Sequence, residues 1–442
     1  MATTYLTHTM STPTARTKST ISAWVKKTSE GANSTIFGGG DAATDCAFLN
    51  FNTSDKLFLQ SATSDSADWG ITTDAVFRDS SAWYHVVAKI DTTQSTSTDR
   101  VKIYVNGNLQ TVTGSYPSQN YDMQWSRNGE VQLVGKYPST GIYFNGLMAH
   151  VHFTDGYAYD ASTFGQTDST SGIWVPKTAP SVTYGTNGFF LKFENSGAMG
   201  TDSSGQSNTF TTSGTLTQSV DTPSNNFGTL NSAQPNHVGV PTNGNLTYAN
   251  PSSGQRHIPS TLAVSSGKWY VEVKCNVVGG DYPQVGIFDS GVTFDSATYI
   301  GSTANGYGLS STGHIWNSNS QQVNTGTTWT TGDILGIALD LTNDKIYWHK
   351  NGTYVSNGTG TGNPSTGTNG YSITADKTWY FTNSSNGSGG SPSFSFNFGS
   401  GYFGTTQVSS SNADANGHGL MEYAVPTGFY TLNTKNIKEF GG

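Results

Sequence analysis

The sequence predicts an all-β protein: two tandem antiparallel β-sandwiches, jelly-roll-like, joined by a connector rich in serine, threonine and asparagine. Two observations lead to this prediction. Short blocks that alternate apolar and polar residues, or are fully apolar, follow one another between Gly, Asn and Asp residues, and no helical pattern separates them. The chain has 442 residues, more than one hydrophobic core usually serves, so two or more domains are expected.

The first domain is predicted over residues 1–195, where strand-like runs lie next to one another. In residues 19–27 (STISAWVKK), Ile21, Ala23 and Val25 occupy every second position, as in a strand with two distinct faces. The Asn106-Gly107 step predicts a tight hairpin, because both residues accept a positive φ. The other strand-like runs are at residues 35–40, 46–52, 56–62, 81–91, 100–108, 131–137, 143–159 and 188–194.

Residues 196–240 are predicted to connect the domains, because serine, threonine, asparagine, glycine and proline dominate this segment. The second domain is expected over residues 241–403. Residues 404–442 form a C-terminal tail that is apolar enough to dock on another surface. The large side chains that could pin the connector to a domain surface are those of Phe210, Phe227 and Leu230.

Composition excludes several classes of function. The net charge is −8 and the sequence has no long basic run, which argues against nucleic-acid binding. The first twenty residues lack the apolar segment of a secretory signal, and no stretch approaches the roughly 18 apolar residues of a membrane span, so no membrane insertion is expected. The two cysteines, Cys46 and Cys275, are far apart and are interpreted as buried free thiols.

The second half of the chain resembles the SPRY domain, through blocks whose order and spacing match between residues 267 and 399. The turns in this tract have a local explanation, since residues 340–344 and the Asn351-Gly352 step follow strand-like runs. The matching blocks are GKWYVEVK at 267–274, VGIFD at 285–289, GYGL at 306–309, WTTGDILGIALDLTNDKIYWHKNG at 329–352 and FNFG at 396–399.

The first half resembles the concanavalin A-like, laminin G-like sandwich. The phrase WYHVV, followed by an aspartate and then KIYVNG, is typical of that group, in which a ligand-facing sheet lies beside its hairpin. The resemblance implies the fold more specifically than it implies a ligand. It rests on ISAWVKK at 21–27, SAWYHVVAKID at 81–91, RVKIYVNGN at 100–108 and GLMAHVHFTDGYAY at 146–159.

The pairing of these domains and three connecting phrases resemble virion proteins of tailed bacteriophages, especially those of marine and cyanobacterial hosts. The phrases are GTDSSGQSNTFT, DTPSNNFGTLN and YAVPTGFYTLNTKNI. This resemblance implies a structural component of an exposed tail or head appendage or fibre, made in the host cytoplasm. The implied partners are other virion subunits, further copies of the chain in a homo-oligomer such as a trimer, and a host-surface glycan or protein.

Three functions remain open from the sequence. Adhesion to the host envelope, with carbohydrate as the first candidate ligand, is favoured. The alternative is an architectural adaptor or capsid decoration protein that binds only other virion subunits. A polysaccharide depolymerase is less favoured, because a glycosidase needs two carboxylates flanking the scissile bond and the chain has no Glu-x-Asp-x-x-Glu strand. The isolated glutamates are Glu30, Glu130, Glu194, Glu272, Glu422 and Glu439.

No cofactor is predicted, although calcium stays a candidate. Asp41 and Asp45 lie in GGGDAATD, which resembles places where laminin G-like domains hold calcium, but a plain turn is the favoured interpretation. His150 and His152 alternate on one strand and would share a face. Because two ligands alone do not make a metal site, a solvated or hydrogen-bonded pair is favoured.

Aromatic residues in polar segments that are typical of loops are the candidate ligand-binding groups. A flat apolar ring stacks on a sugar or peptide while neighbouring polar groups donate or accept hydrogen bonds. The competing interpretation is that such a ring only closes the end of its own sandwich. In SPRY-like domains, partners are gripped by loops at one edge, which the resemblance carries onto several of the same positions. The aromatic candidates in polar sequence are Trp69, Trp125, Tyr282 and Trp316, and the surface implied by the SPRY resemblance includes Asp281, Tyr282, Tyr307 and Trp316.

Overall fold

The computed structural model describes residues 3–41, 44–139, 141–169, 171–233, 239–251, 254–280, 283–291, 298–387 and 390–441. The chain folds into two compact units, Met1–Gln218 and Ser219–Gly442. Each unit contains two main antiparallel sheets and little helix, which confirms the predicted all-β class with tandem sandwiches.

The first unit contains sixteen of the named strands and two short 3₁₀ turns, Ser97–Asp99 and Ala161–Thr163. Its strands are β1 (Tyr5–Thr9), β2 (Lys18–Lys27), β3 (Ser34–Gly40), β4 (Cys46–Phe51), β5 (Leu57–Thr63), β6 (Ser66–Thr73), β7 (Tyr84–Asp91), β8 (Val101–Val105), β9 (Asn108–Leu109), β10 (Val112–Ser115), β11 (Val131–Val134), β12 (Gly146–Asp155), β13 (Gly165–Thr167), β14 (Trp174–Pro176), β15 (Phe189–Leu191) and β16 (Thr211–Ser213).

Two sheets enclose the core of this unit. One has the order β10-β6-β5-β4-β3-β11-β1-β16 and the other β15-β12-β2-β7-β8-β9, while β13 and β14 form a separate hairpin. On β2, Ile21, Ala23 and Val25 are fully buried in the core, as their alternation predicts. Asn106 and Gly107 have φ of 48° and 82° and join β8 to β9, which confirms the predicted tight hairpin.

The second unit contains the remaining strands, a 3₁₀ turn at Ile300–Ser302 and one short helix, α1 (Thr434–Phe440). Its strands are β17 (Thr247–Ala249), β18 (Gln255–Val264), β19 (Lys268–Val277), β20 (Gln284–Asp289), β21 (Gly306–Ser310), β22 (His314–Asn317), β23 (Ser320–Asn324), β24 (Ile334–Asp340), β25 (Lys345–Lys350), β26 (Thr353–Tyr354), β27 (Tyr371–Ser372), β28 (Trp379–Asn386), β29 (Ser393–Asn397), β30 (Tyr402–Phe403), β31 (Thr406–Gln407) and β32 (Tyr430–Thr431).

One sheet of this unit has the order β17-β29-β19-β24-β25-β26, with β27 beside β25 and β32 beside β19. The other has the order β18-β28-β20-β21-β22-β23. Strand β19 shows how the two faces differ. Trp269, Val271 and Val273 enter the core, whereas Tyr270 packs in a separate cluster and Glu272 is a buried acid beside it.

The predicted connector, residues 196–240, is divided between the two units at Gln218 and Ser219. In the first unit, Asp202 accepts the N–H groups of Phe190 and Asn208, and Phe210 joins the core at 3 % exposure. Such a carboxylate orders a segment of polar residues, because it accepts hydrogen bonds from several backbone N–H groups at once. In the second unit, Phe227 and Leu230 are buried.

The C-terminal tail packs on the second unit. Strand β32 pairs in parallel with β19, Leu432 joins the core, and Asn433 caps α1 by accepting the N–H of Asn436 at 3.0 Å. In the described part of the chain, no helix has the length and apolar character needed to cross a membrane.

Candidate functional site

The structure corrects two of the predicted exposed aromatics. Trp69 is 1 % exposed and Trp125 is fully buried, so both belong to the core of the first unit. Trp69 lies on β6, where its polar neighbours Ser66 and Asp68 are exposed while the indole faces inward. The Trp125 indole N–H donates to Ser19 Oγ at 3.2 Å, and Trp125 packs so closely on Gly39 that a Cβ there would lie 2.8 Å from it.

Tyr307 and Trp316 lie on opposite faces of the β21–β22 pair. Tyr307 is 6 % exposed, packs in the core and bonds to Thr374 Oγ1 at 3.0 Å, so its ring is not available to the partner-binding surface that the SPRY resemblance implies. Trp316 pairs with Gly308 across the sheet and is partly exposed. The pleat separates these two candidates, since neighbouring strand positions face opposite sides.

Trp316 is the predicted aromatic that keeps solvent exposure among the described residues. Its ring lies edge-on to Tyr299, with ring centroids 5.9 Å apart, and the Tyr299 hydroxyl donates to Asn319. Two other candidates, Asp281 and Tyr282, lie outside the described residues. Exposed amides follow on β23 at Gln321, Gln322 and Asn324.

The calcium candidates are engaged by protein groups. Arg127 Nη1 lies 2.7 Å from Asp45 Oδ2 and 4.0 Å from Asp41 Oδ2. Asp41 Oδ1 also accepts the N–H of Thr44 at 2.7 Å, and Asp45 Oδ1 accepts that of Ser64 at 2.9 Å. Because a guanidinium and backbone donors occupy these oxygens, the residues present do not fit a calcium ion. Among the described residues, no three His, Cys, Asp or Glu side chains converge for a metal.

His150 and His152 do not form a regular pair of ligands. A β-bulge interrupts β12 between Ala149 and His152, and His150 has a φ of 47°. His152 is buried, stacks on Phe190 with ring centroids 3.9 Å apart and bonds through Nδ1 to the Tyr184 hydroxyl at 3.0 Å. Burial holds the pKa of His152 well below 6.5, so the ring is neutral.

Ser22 and His85 are the nearest approach to a catalytic pair in the first unit. Ser22 Oγ lies 2.8 Å from His85 Nε2, and the Trp174 indole N–H donates to His85 Nδ1 at 2.9 Å. Because Nδ1 accepts a proton donor, the neutral ring carries its hydrogen on Nε2 and donates it to Ser22. This is the opposite of what a general base requires, and both residues are fully buried.

The second unit contains an open cleft of about 440 Å³ between the start of β19 and the C-terminal helix. Tyr430 and Phe440 stack beside it, with ring centroids 3.8 Å apart and planes 8° apart. Gly267 has a φ of 81°, and a Cβ there would lie 2.6 Å from the Phe440 carbonyl oxygen, so glycine permits this approach. The lining residues are Ser266, Gly267, Lys268, Thr342, Gly428, Tyr430, Glu439 and Phe440.

The cleft combines the groups that hold a polar ligand. Lys268 Nζ is fixed 2.9 Å from the buried Asp340 carboxylate, while its side chain remains 28 % exposed. Glu439 and Thr342 are exposed at the rim. Partly exposed aromatic surface, an ammonium, a carboxylate and hydroxyls suit a ligand with apolar faces and many hydroxyl groups.

Sequence reasoning missed this cleft because its residues are far apart in the chain. Lys268 lies inside the SPRY-like block, whereas Tyr430 and Phe440 belong to the tail. The apolar character of the tail was the available signal. It predicted docking, but not that the docked tail would form a wall of a cleft. A second cleft of about 370 Å³ in the first unit is lined by residues of 196–201 and 209–216 and has no charged side chain in its lining.

Comparisons with known proteins match two separate parts of the chain to family models. Residues 1–161 match the Laminin_G_3 family model, described as the concanavalin A-like lectin/glucanases superfamily, and residues 268–366 match the SPRY domain model. No curated protein matches the chain.

Two solved structures are similar to part of the chain. The SPRY domain of human HERC1 is 17 % identical, with a TM-score of 0.28, over 34 % of this chain and 87 % of that one. A human SPRY domain is 14 % identical, with a TM-score of 0.27, over 34 % of this chain and 90 % of that one. The two family matches alone show that the chain has an N-terminal laminin G/concanavalin A-like domain and a C-terminal SPRY domain, both general ligand-binding modules that are typically non-catalytic.

Proposed function

We propose that the protein is a non-enzymatic attachment component of a tailed-bacteriophage virion whose SPRY domain binds carbohydrate of the host surface. The observation that carries the carbohydrate assignment is the cleft beside Lys268, with the Tyr430–Phe440 stack, Glu439 and hydroxyl groups around a volume of about 440 Å³. This volume lies within the range of small-ligand sites, and its lining suits one or two sugar rings.

The chemistry of the buried polar groups supports a binding role. Ser22 and His85 are inaccessible, and the His85 tautomer donates to the serine instead of accepting from it. The acid Glu272 is fully buried and surrounded by hydrogen-bond donors, so it is not placed to attack or protonate a glycosidic bond.

The virion setting rests on the phrases that join and follow the domains. GTDSSGQSNTFT and YAVPTGFYTLNTKNI resemble connecting segments of tailed-phage particle proteins. In this setting the chain is made in the host cytoplasm, binds other virion subunits and forms a homo-oligomer, with a trimer as one candidate. Several copies on one particle would turn a weak single-site affinity into firm attachment, since linked sites bind together.

Filling the cleft tests the carbohydrate assignment. Thr342 is exposed on its rim, so Thr342→Trp adds a large side chain there without removing a buried contact. We expect the wild-type chain to bind glycans or host cells and Thr342→Trp to lose at least tenfold in affinity. Thr330→Trp is the matched control, because Thr330 is an exposed turn residue outside the cleft lining.

The same assay separates the alternative functions. Failure of the wild-type chain to bind any glycan or host cell, together with retained binding to purified capsids or tails, would replace this proposal by the architectural adaptor. Release of reducing ends from host polysaccharide would overturn the non-enzymatic assignment. Equal binding by the wild type and Thr342→Trp would remove the cleft as the site.

A further inference from the structure

Glu272 is a buried acid on the outer face of β19, away from the core of the second sandwich. Its exposure is 0 %, and in the described part of the chain no lysine or arginine forms an ion pair with it. A buried carboxyl without a cation must be satisfied by hydrogen bonds, because its transfer from water is otherwise strongly unfavourable.

Two of these hydrogen bonds come from the backbone of the C-terminal tail. The N–H of Glu422 donates to Glu272 Oε2 at 2.9 Å, and the N–H of Tyr423 donates to Oε1 at 2.8 Å. Asn397 Nδ2 lies 3.4 Å from Oε2 and donates to the Leu420 carbonyl at 2.9 Å. This carboxyl group and the amide beside it are therefore one attachment point of the tail on the sheet, in addition to the Leu420 N–H, which donates to the Gly399 carbonyl at 2.9 Å, and to the pairing of β32 with β19.

A directed chain of hydrogen bonds reaches the same carboxyl from the other side. The N–H of Gly352 donates to His349 Nδ1 at 3.1 Å, so the neutral ring carries its hydrogen on Nε2. His349 Nε2 lies 2.6 Å from the Tyr270 hydroxyl, which donates to Glu272 Oε1 at 3.0 Å. These groups hold the Glu272 carboxyl in a fixed position, so what changes with pH at this site is whether the carboxyl is protonated.

Apolar contacts complete the attachment. Met421 and Phe429 are fully buried and pack with Tyr270, Ala338 and Tyr347 on the same face of the sheet. Gly428, which lies between them, and Tyr430, which follows Phe429, line the cleft. A displacement of this segment therefore takes away one wall of the proposed carbohydrate site.

We propose that residues 420–431 form a pH-sensitive strap, held on the SPRY domain through Glu272, and that lifting the strap dismantles the cleft. The regulation of carbohydrate binding rests on the function proposed above, whereas the strap itself does not. The bistable element is the tail segment, and the group that biases it is the Glu272 carboxyl.

The ionisation of Glu272 gives the direction of the switch. Burial raises its pKa from 4.5 to about 7, although the N–H groups of Tyr423 and Glu422 and the side chains of Tyr270 and Asn397 oppose the shift. A raised pKa means that the closed strap is most stable below about pH 4.5 and loses stability as the pH rises through 7. Opening the strap exposes the carboxyl to water and returns it to its ordinary pKa.

The histidine and the tyrosines around Glu272 stay neutral across this range. Burial lowers the pKa of His349 to about 3, and burial raises the pKa values of the surrounding tyrosines above 10. Glu422 of the strap is the remaining acid that faces this site. The groups that face Glu272 are Tyr270 on β19, His349 on β25, Tyr354 on β26, and Glu422 and Tyr423 on the strap.

Hydrogen exchange of the full chain without carbohydrate tests the strap. A peptide covering residues 418–426 reports the amides of Glu422 and Tyr423, after correction for intrinsic exchange. Between pH 5 and 8.5 its protection should fall on the order of 10²-fold, while a peptide over β24 changes much less. Unchanged or increased protection of residues 418–426 over this range would overturn the proposal.

Two variants assign the effect to Glu272. Glu272→Gln keeps the shape but removes the titration, so the protection of residues 418–426 should become independent of pH. Tyr270→Phe removes a hydrogen-bond donor that lowers the pKa of Glu272, so the midpoint of the loss of protection should move to higher pH. This variant provides the test if Glu272→Gln does not fold. If both variants behave like the wild type, the strap is not held through this group. A pH-dependent strap with no glycan binding would disprove only the function proposed above.

Discussion

Lys27, Asp55 and Arg78 show how the first unit handles charge at the level of single residues. Lys27 Nζ lies 2.5 Å from Asp55 Oδ1, and both side chains are almost completely buried. Arg78 Nε lies 3.2 Å from Asp55 Oδ2 but its side chain is 64 % exposed. Asp55 also accepts the N–H of Gly31 at 2.9 Å, so this carboxylate joins several segments. Burial alone would raise its pKa, but Lys27 and these other donors lower it below the ordinary value.

Asp55→Ala should destabilise the first unit by about 3–5 kcal/mol, because the Lys27 ammonium would remain buried without its partner. Arg78→Ala is the matched control and should cost less than about 1 kcal/mol, since an exposed ion pair contributes little. Hydrogen exchange in peptides from β2 and β7 resolves the first unit from the second. Equal losses for the two variants would show that the buried pair is not the main contribution.

At the level of elements, alternation and turn chemistry predict the strands well. Ile21, Ala23 and Val25 alternate into the core, and Asn106-Gly107 forms its turn. Local sequence could not give the exposure of Trp69 or Trp125. The polar neighbours of Trp69 on β6 are exposed while its own ring is buried. The burial of Trp125 depends on residues far away in the chain, such as Gly39, which packs against it. The cleft was missed for the same reason.

Residues 200–211 show that a segment rich in polar residues can be well ordered. Asp202 organises this segment through backbone donors, and Phe210 packs in the core of the first unit with its ring 4.5 Å from that of Phe189. The richness of this stretch in serine, threonine and asparagine predicted a connector. Composition alone does not reveal that one carboxylate accepts hydrogen bonds from several backbone N–H groups and so orders the segment.

Phe210→Ala should therefore destabilise the first unit by about 3–5 kcal/mol through the cavity it leaves. Hydrogen exchange should increase in β1 and β15 and stay unchanged in β24. Val220→Ala is the control, because Val220 is 37 % exposed and follows the boundary between the units. No change in the first unit upon Phe210→Ala would mean that residues 196–218 do not contribute to its stability.

For the whole molecule, the two units differ in the buried titratable groups whose pKa values are shifted by burial. Burial lowers the pKa of His85 to about 3 and that of His152 well below 6.5 in the first unit. The second unit has His349, with a pKa lowered to about 3, and Glu272, with a pKa raised to about 7. A depressed histidine pKa destabilises a fold as the pH drops below 6.5, whereas the raised Glu272 pKa stabilises it over the same range.

Acidification should therefore affect the two units unequally. From pH 7 to 5, His85 should cost the first unit about 2 kcal/mol, because only the unfolded chain binds the proton, and the lowered pKa values of His152 and His150 add losses in the same direction. In the second unit, the loss from His349 and the gain from Glu272 are each about 2 kcal/mol and should nearly cancel. Hydrogen exchange measures the stability change of each unit separately, with peptides from β7 and β12 reporting on the first unit and a peptide from β24 reporting on the second. If His85→Gln folds, it should reduce the loss in the first unit by about 2 kcal/mol. If it does not fold, the wild-type comparison decides, and equal losses in the two units would contradict this account.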